Sequence, residues 1–339
     1  MRFFSAILLT ATFFIASSAK SQNLADAKTY FGLINKQCSK VSADMLSYSS
    51  DVAKNKKADK LTASGKKILT EINKSELAIG AMPAFQKNKD LKDSAALFMK
   101  NCFDLLNVDY GKIATNRSAA EKSYDKMKDL LAAKVTADQK LKAIMVSYHA
   151  AAIKFSTKVT VPKDEYSDKV DQAIAVNIYY NKIYLLFFKT YSAESYLLDA
   201  IKKKDSNSVA QNKKIVYQDA QNGLKQLDST KDFNDDNSLV TKCQAILTFY
   251  SDESDEKLQG VVDYFAAAKD FQKQRSNYER KPTHTKAEVK EYKAAVNDYN
   301  KALKKFTKTA DGLNKKREKA WDHWNKAAKD FLSKHLPKK

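Results

Sequence analysis

Glycine and proline are scarce: the 339-residue chain holds 7 and 4 of them. Tight turns and chain breaks are therefore few, and the elements between them must be long. Alternating runs of β-branched residues are missing, which excludes a sheet as the organising layer. The three cysteines, Cys38, Cys102 and Cys243, are too few for a disulfide-stapled fold, and no pair has metal-ligand or redox spacing. The four histidines, His149, His284, His323 and His335, are scattered without an HExxH-type pair. A glycine-rich phosphate loop and a GxSxG elbow are also absent. The chain thus carries no local signature of a catalyst, and no catalytic, cofactor-binding or metal residue is expected.

Long apolar runs are missing too, except at the start. The opening MRFFSAILLTATFFIASSAKSQ carries Arg2, an apolar run from Phe3 to Ala16, then small residues. That is the layout of a secretory signal peptide, too short in its apolar part to span a bilayer comfortably. Small residues permit cleavage after Ala19 or after Ser21, and Ser21 is favoured, giving a leader of residues 1–21. The first cysteine is Cys38, so no lipid-anchor cysteine stands at the cleavage point. Further on, IAVNIYYNKIYLLFF is interrupted by Asn177, Asn181 and Lys182 and is not read as a transmembrane helix. The expectation is an exported chain, in the periplasm, at the cell surface or secreted, and not a lipoprotein.

What the sequence has in excess is lysine. Sixty Lys and Arg face 40 Asp and Glu, for a net charge of +20. The excess is concentrated late: Lys269 to Lys339 holds 21 basic and 9 acidic residues. Such an uneven field favours an anionic partner. For an exported protein that means an envelope component (lipid phosphate or acidic glycan) or an acidic protein, with no nucleic acid. The competing readings are a solvated lysine-rich face that serves solubility in a structural or assembly protein, and a helical pocket protein or hydrolase whose site is assembled in space without a local motif.

Apolar spacing and breakers give about eight helices. They are expected at 24–54, 63–78, 91–131 with a bend near Gly111, and 136–157, the last opened by a Thr136/Gln139 capping box. After a boundary at Pro162 the plan repeats at 166–203, 209–227 and 238–280, broken near SDESDE, then from Thr285/Glu288 to the end. The fold class expected is all-α: two tandem antiparallel helical bundles of about four helices each, residues 22–161 and 162–339. Local matches suggest an internal duplication. VSAD at 41–44 parallels YSAE at 191–194; FMKNCFDLL at 98–106 parallels LVTKCQAIL at 239–247, pairing Cys102 with Cys243. YHAAAIKFSTK at 148–158 parallels YNKALKKFTKT at 299–309.

Four clusters need an account. Cys38 and Cys102 could bridge two helices of the first bundle, or all three thiols could be buried as small apolar groups. Asp232–Asp236 begins like a calcium loop but has Asn237 and Cys243 where glycine and glutamate are needed, so an Asx turn capping Ser238 is expected. SDESDE reads as a solvated turn and helix start. The rings Tyr179, Tyr180, Tyr184, Phe187, Phe188 and Tyr191 recur at helical spacing and read as core. At the C-terminus, Trp321, Trp324, Ala328, Phe331, Leu332 and His335 form one apolar stripe that leaves His323 off it. The lysine face around that stripe supplies the candidate anionic-partner contacts: Lys304, Lys305, Lys315, Lys316, Arg317 and Lys319.

The order DFNDDNSLVTKCQAILTFY, then NDYNKALKKF, then KAWDHWNKAAKDFLSKHLPK resembles an uncharacterised family of exported, all-helical bacterial surface proteins. The resemblance covers about Asp232 to Lys338. It implies an all-helical envelope protein and assigns a role to no residue.

Overall fold

The computed structural model describes residues 26–338, the side chain of Glu256 excepted. The expected leader and its cleavage point lie outside them. Helix α1 spans Ala27–Ala53, α2 Ala58–Gly80, α3 Asp90–Asp104, α4 Gly111–Ala120 and α5 Tyr124–Phe155. The second half continues with α6 Glu165–Lys203, α7 Ser206–Asp228, α8 Ser238–Asp252, α9 Gln259–Glu279 and α10 Lys286–His335. A π-helical stretch, Leu105–Tyr110, joins α3 to α4, and another, Glu253–Lys257, follows α8. The fold is all-α and bundled; the described residues form no strand, only two isolated bridges. No helix of the described residues is long and apolar enough to cross a membrane.

Side-chain caps fix the helix starts. Asp26, Ser123, Asp164, Asp205 and Thr285 each accept a hydrogen bond from a backbone N–H of the first turn. Thr285 and Glu288 complete the expected capping box. Thr136 does not open a helix: it lies inside α5, its hydroxyl donating to the Ala132 carbonyl at 3.1 Å, and Ser123 is the cap instead. The competing apolar signal was hidden because the break after α4 contains neither glycine nor proline. SDESDE is likewise not solvated throughout. The π turn carries Glu253 and Ser254 into the core, each 1% exposed.

Helix α6 is central, packing against α1, α5, α7, α8 and α10. Tyr180, Ile183, Phe187 and Phe188 are buried in it, as their spacing predicts. The buried apolar side chains form one continuous cluster from Tyr30 to Leu336.

The two halves share a register. Ala58–Gly80 and Asp90–Asp104 recur as Ser206–Asp228 and Ser238–Asp252, every bound 148 residues further on, and the π stretches begin at Leu105 and Glu253 with that same separation. The intervening turns also match. Gln86 and Lys87, then Asn234 and Asp235, have φ of 48°, 67°, 49° and 61°, the left-handed pair of a type I′ turn. Phe85 and Asn88 exchange backbone hydrogen bonds, as do Phe233 and Asp236. Phe85 packs on Tyr30 and Phe155, and Phe233 on Tyr179 and Phe331. In this register Cys102 meets Tyr250 and Cys243 meets Ala95. The sequence match that pairs the cysteines has an offset of 141, seven residues or two helical turns from this 148-residue register. Cys38, Cys102 and Cys243 are free and buried, and no bond joins Cys38 to Cys102. Burial holds the Cys38 thiol up at about 12 and raises the other two further.

Candidate interaction surface

From Ala266 to Gly312 no side chain is fully buried, whereas Val261, Tyr264, Phe265 and Leu313 at the two ends are. The outer part of α9 and the first half of α10 therefore form a two-helix arm beyond the core. Three stacked ring pairs hold it. Tyr264 lies on Phe306 with centroids 4.6 Å apart, Phe271 on Tyr299 at 4.7 Å, and Tyr278 on Tyr292 at 4.2 Å. Partners step by seven residues on both helices, the repeat of a coiled coil. Near the tip, His284 stacks on the other side of Tyr278 at 3.7 Å, and Lys281 pairs with Glu288. A cavity of about 430 Å³ beside this stack is lined by Gln274, Asn277, Lys281 and Tyr292. The Tyr278–His284 stack and the Lys281–Glu288 pair secure the turn between α9 and α10.

The outer face of α10 is a row of lysines. Lys286, Lys290, Lys293, Lys301, Lys304, Lys308, Lys315, Lys319, Lys326 and Lys329 are all exposed. Asn297, Asp311 and Asp322 occupy the remaining steps. The step averages about 3.6 residues, the period of the helix itself, so the row stays on one side and does not spiral. It lies opposite Leu313, Trp324, Ala328 and Phe331, which face the core. Among the described residues only Lys301 of the ten makes an ion pair, a 3.8 Å contact with Asp298. The arm, 266–312, carries twelve basic and six acidic residues.

Of the six candidate contacts, Lys304, Lys315 and Lys319 stand in this row. Lys305 and Lys316 are exposed beside it. Lys316 and Lys319 also join Lys242 and His323 around a cleft of about 260 Å³ floored by Ile246 and Phe249. Arg317 is the exception and is turned inward: its side chain is 14% exposed, and it bridges Glu194 of α6 and Glu253 of the π turn. It cannot greet a partner from there, because its guanidinium is held between the buried side chains of Glu194 and Glu253. The missed residues were legible in principle. The heptad of rings and the evenly spaced lysines are both sequence patterns, but a count of local charge does not separate opposite faces.

The base of α10 is locked to the bundle. Trp324 and Phe331 are each 1% exposed, and Trp321 donates its indole N–H to the Tyr250 hydroxyl at 2.9 Å. His335 and Lys334 meet Asp236 of the type I′ turn at 2.8 and 2.7 Å. Burial opposes ionisation of Asp236, but hydrogen bonds from Lys334, Ser238 and His335 outweigh it and hold the carboxyl well below its usual range. Asp236 also accepts from the Ser238 N–H at 2.9 Å, so the acidic stretch is the expected Asx turn. Between α1, α5 and α6 another buried carboxyl, Asp138, accepts from Ser49, Tyr110 and Asn177 at 2.5, 2.7 and 2.9 Å. No group of three His, Cys, Asp or Glu side chains among the described residues is placed to hold a metal ion.

Comparison with protein-family models, curated proteins and solved structures gave no match to this chain.

Proposed function

We propose that the protein is an exported, non-enzymatic interaction module of the cell envelope or surface, built from two diverged copies of one helical unit. The export reading rests on Arg2, the apolar run and the small residues before Gln22. The duplication reading rests on the constant 148-residue register and the paired type I′ turns. Where the halves differ most is the hairpin after the π stretch. In the first half α4 has 10 residues and α5 has 32; in the second, α9 has 21 and α10 has 50. The elaborated hairpin is the arm.

The observation that carries the functional reading is the lysine row of α10, exposed over its length and turned away from the core. A folded bundle does not need a stiff row of cations of which only Lys301 is paired, since like charges repel and contribute nothing to packing. The row presents ammonium groups to an anionic partner without deep burial of either side. Contacts of this kind are screened over about 10 Å at 0.1 M salt. The test is retention of the full chain on anionic and neutral surfaces across a salt series, with Lys293, Lys301, Lys304 and Lys308 changed to Glu as the comparison. Retention on anionic surfaces only, fading as salt rises and lost in the variant, is expected. Equal behaviour of both proteins would favour a scaffold whose charge serves solubility.

A further inference from the structure

Taking the interaction-module reading as given, we infer that the partner is a linear acidic polysaccharide bound lengthwise along α10, its carboxylates or sulfates facing successive lysines. Geometry separates this ligand from the other polyanions. The row from Lys286 to Lys329 spans 43 residue steps of one uninterrupted helix, about 65 Å at the rise of an α-helix. Successive lysines stand about 5 Å apart along the axis, one turn of helix, close to the advance of one sugar in an extended chain. A single glycan chain, unlike a stiff duplex, turns about its glycosidic bonds, so acids carried one per sugar reach the row at intervals of one to a few lysines. Asn297, Asp311 and Asp322 interrupt the row only singly, so no gap exceeds two steps.

A nucleic-acid duplex does not match this surface. Each of its strands winds fully round in about 34 Å, so a straight row twice that long loses the phosphates and meets them again only at the next turn. Single strands need exposed rings for stacking, and Tyr278, Tyr292, Phe271, Tyr299, Tyr264 and Phe306 are all used in the seam. A lipid surface is the third alternative. Membrane-surface helices add apolar side chains that enter the headgroup layer. The large apolar residues exposed among the described residues, such as Leu77, Leu97, Ile153 and Ile178, lie on other helices and none on α9 or α10.

The experiment uses the full chain and polygalacturonate oligomers of graded length, with one carboxylate per sugar, at several salt concentrations. Affinity should climb with oligomer length and level off once the chain spans about 65 Å. Changing Lys293, Lys301, Lys304 and Lys308 to Gln should lower the slope of log affinity against log salt by up to about 3, as for four lost single-strand contacts. A control with Lys60, Lys66, Lys67 and Lys74 of α2 changed to Gln has the same net charge and should keep the native slope. Affinity independent of length, or equal losses in both variants, would overturn the inference. So would tighter binding to duplex DNA or to anionic vesicles than to the long oligomer. Vesicle binding without oligomer binding would leave the interaction-module reading standing; no binding to any anion at low salt would remove both.

Discussion

Arg317 shows how one residue's role depends on which side of a helix it occupies. Two carboxylates, Glu194 and Glu253, converge on its single charge. Burial pushes Glu253 up to about 8, more than the nearby Arg317 can offset, and the negative charge of Glu194 adds to the rise. A carboxyl whose folded pKa exceeds its unfolded one binds its proton more tightly when folded. Its contribution to stability is full below the unfolded value and is lost as pH rises through about 8. Melting temperature should accordingly fall between about pH 5 and 8, and Glu253→Gln should flatten that slope, read by calorimetry over a pH series. Trp324, enclosed among Phe187 and the C-terminal stripe, gives a second residue-scale expectation. Trp324→Ala should cost about 3–5 kcal/mol in denaturant unfolding. Trp321→Phe, which removes the bond to Tyr250 and part of the ring that packs on Phe187 and Tyr191, should cost about 1–3 kcal/mol.

At the scale of elements, the type I′ turn before α8 is the sharpest test of the backbone. Asn234 and Asp235 both sit at positive φ, where a side chain with a Cβ is held at a cost of about 1–2 kcal/mol relative to the right-handed region. Asp235→Gly creates the Asn-Gly pair that this turn favours and should raise stability by up to about 1 kcal/mol; Asp235→Val should lower it. Most elements were legible in the sequence because their signals were local: Thr285/Glu288, the helical ring spacing of α6, the C-terminal stripe. The start of α5 was not, since Ser123 follows a helix with no glycine or proline to end it. Nor were the π turns. Their extra residue shifts the phase of the apolar pattern, so Glu253 and Ser254 point inward where a regular helix would expose them. The lysines were counted correctly from sequence, but telling Arg317 from Lys316 needed the phase of α10 relative to its neighbours.

For the whole molecule, the arm and the bundle are separable in energy. Helix α10 contributes its buried side chains from Leu313 onward, and the rings of the arm pack on each other. Replacing residues 269–301 with a short glycine-containing turn should therefore leave the cooperative melt of the bundle in place, within a few degrees, while weakening retention on anionic surfaces, because Lys286, Lys290, Lys293 and Lys301 leave the row and its other six lysines stay. Loss of the melt together with binding would show that the arm is part of the core.

The seam of the arm has a further consequence for how such a protein can change. Because Tyr264, Phe271 and Tyr278 step by seven against Phe306, Tyr299 and Tyr292, seven residues can be added to each helix without disturbing any existing rung. Each such addition lengthens the reach by about 10 Å. Arm length is in this sense graduated, like marks on a ruler, and can vary among descendants of this chain while the bundle that carries it stays the same.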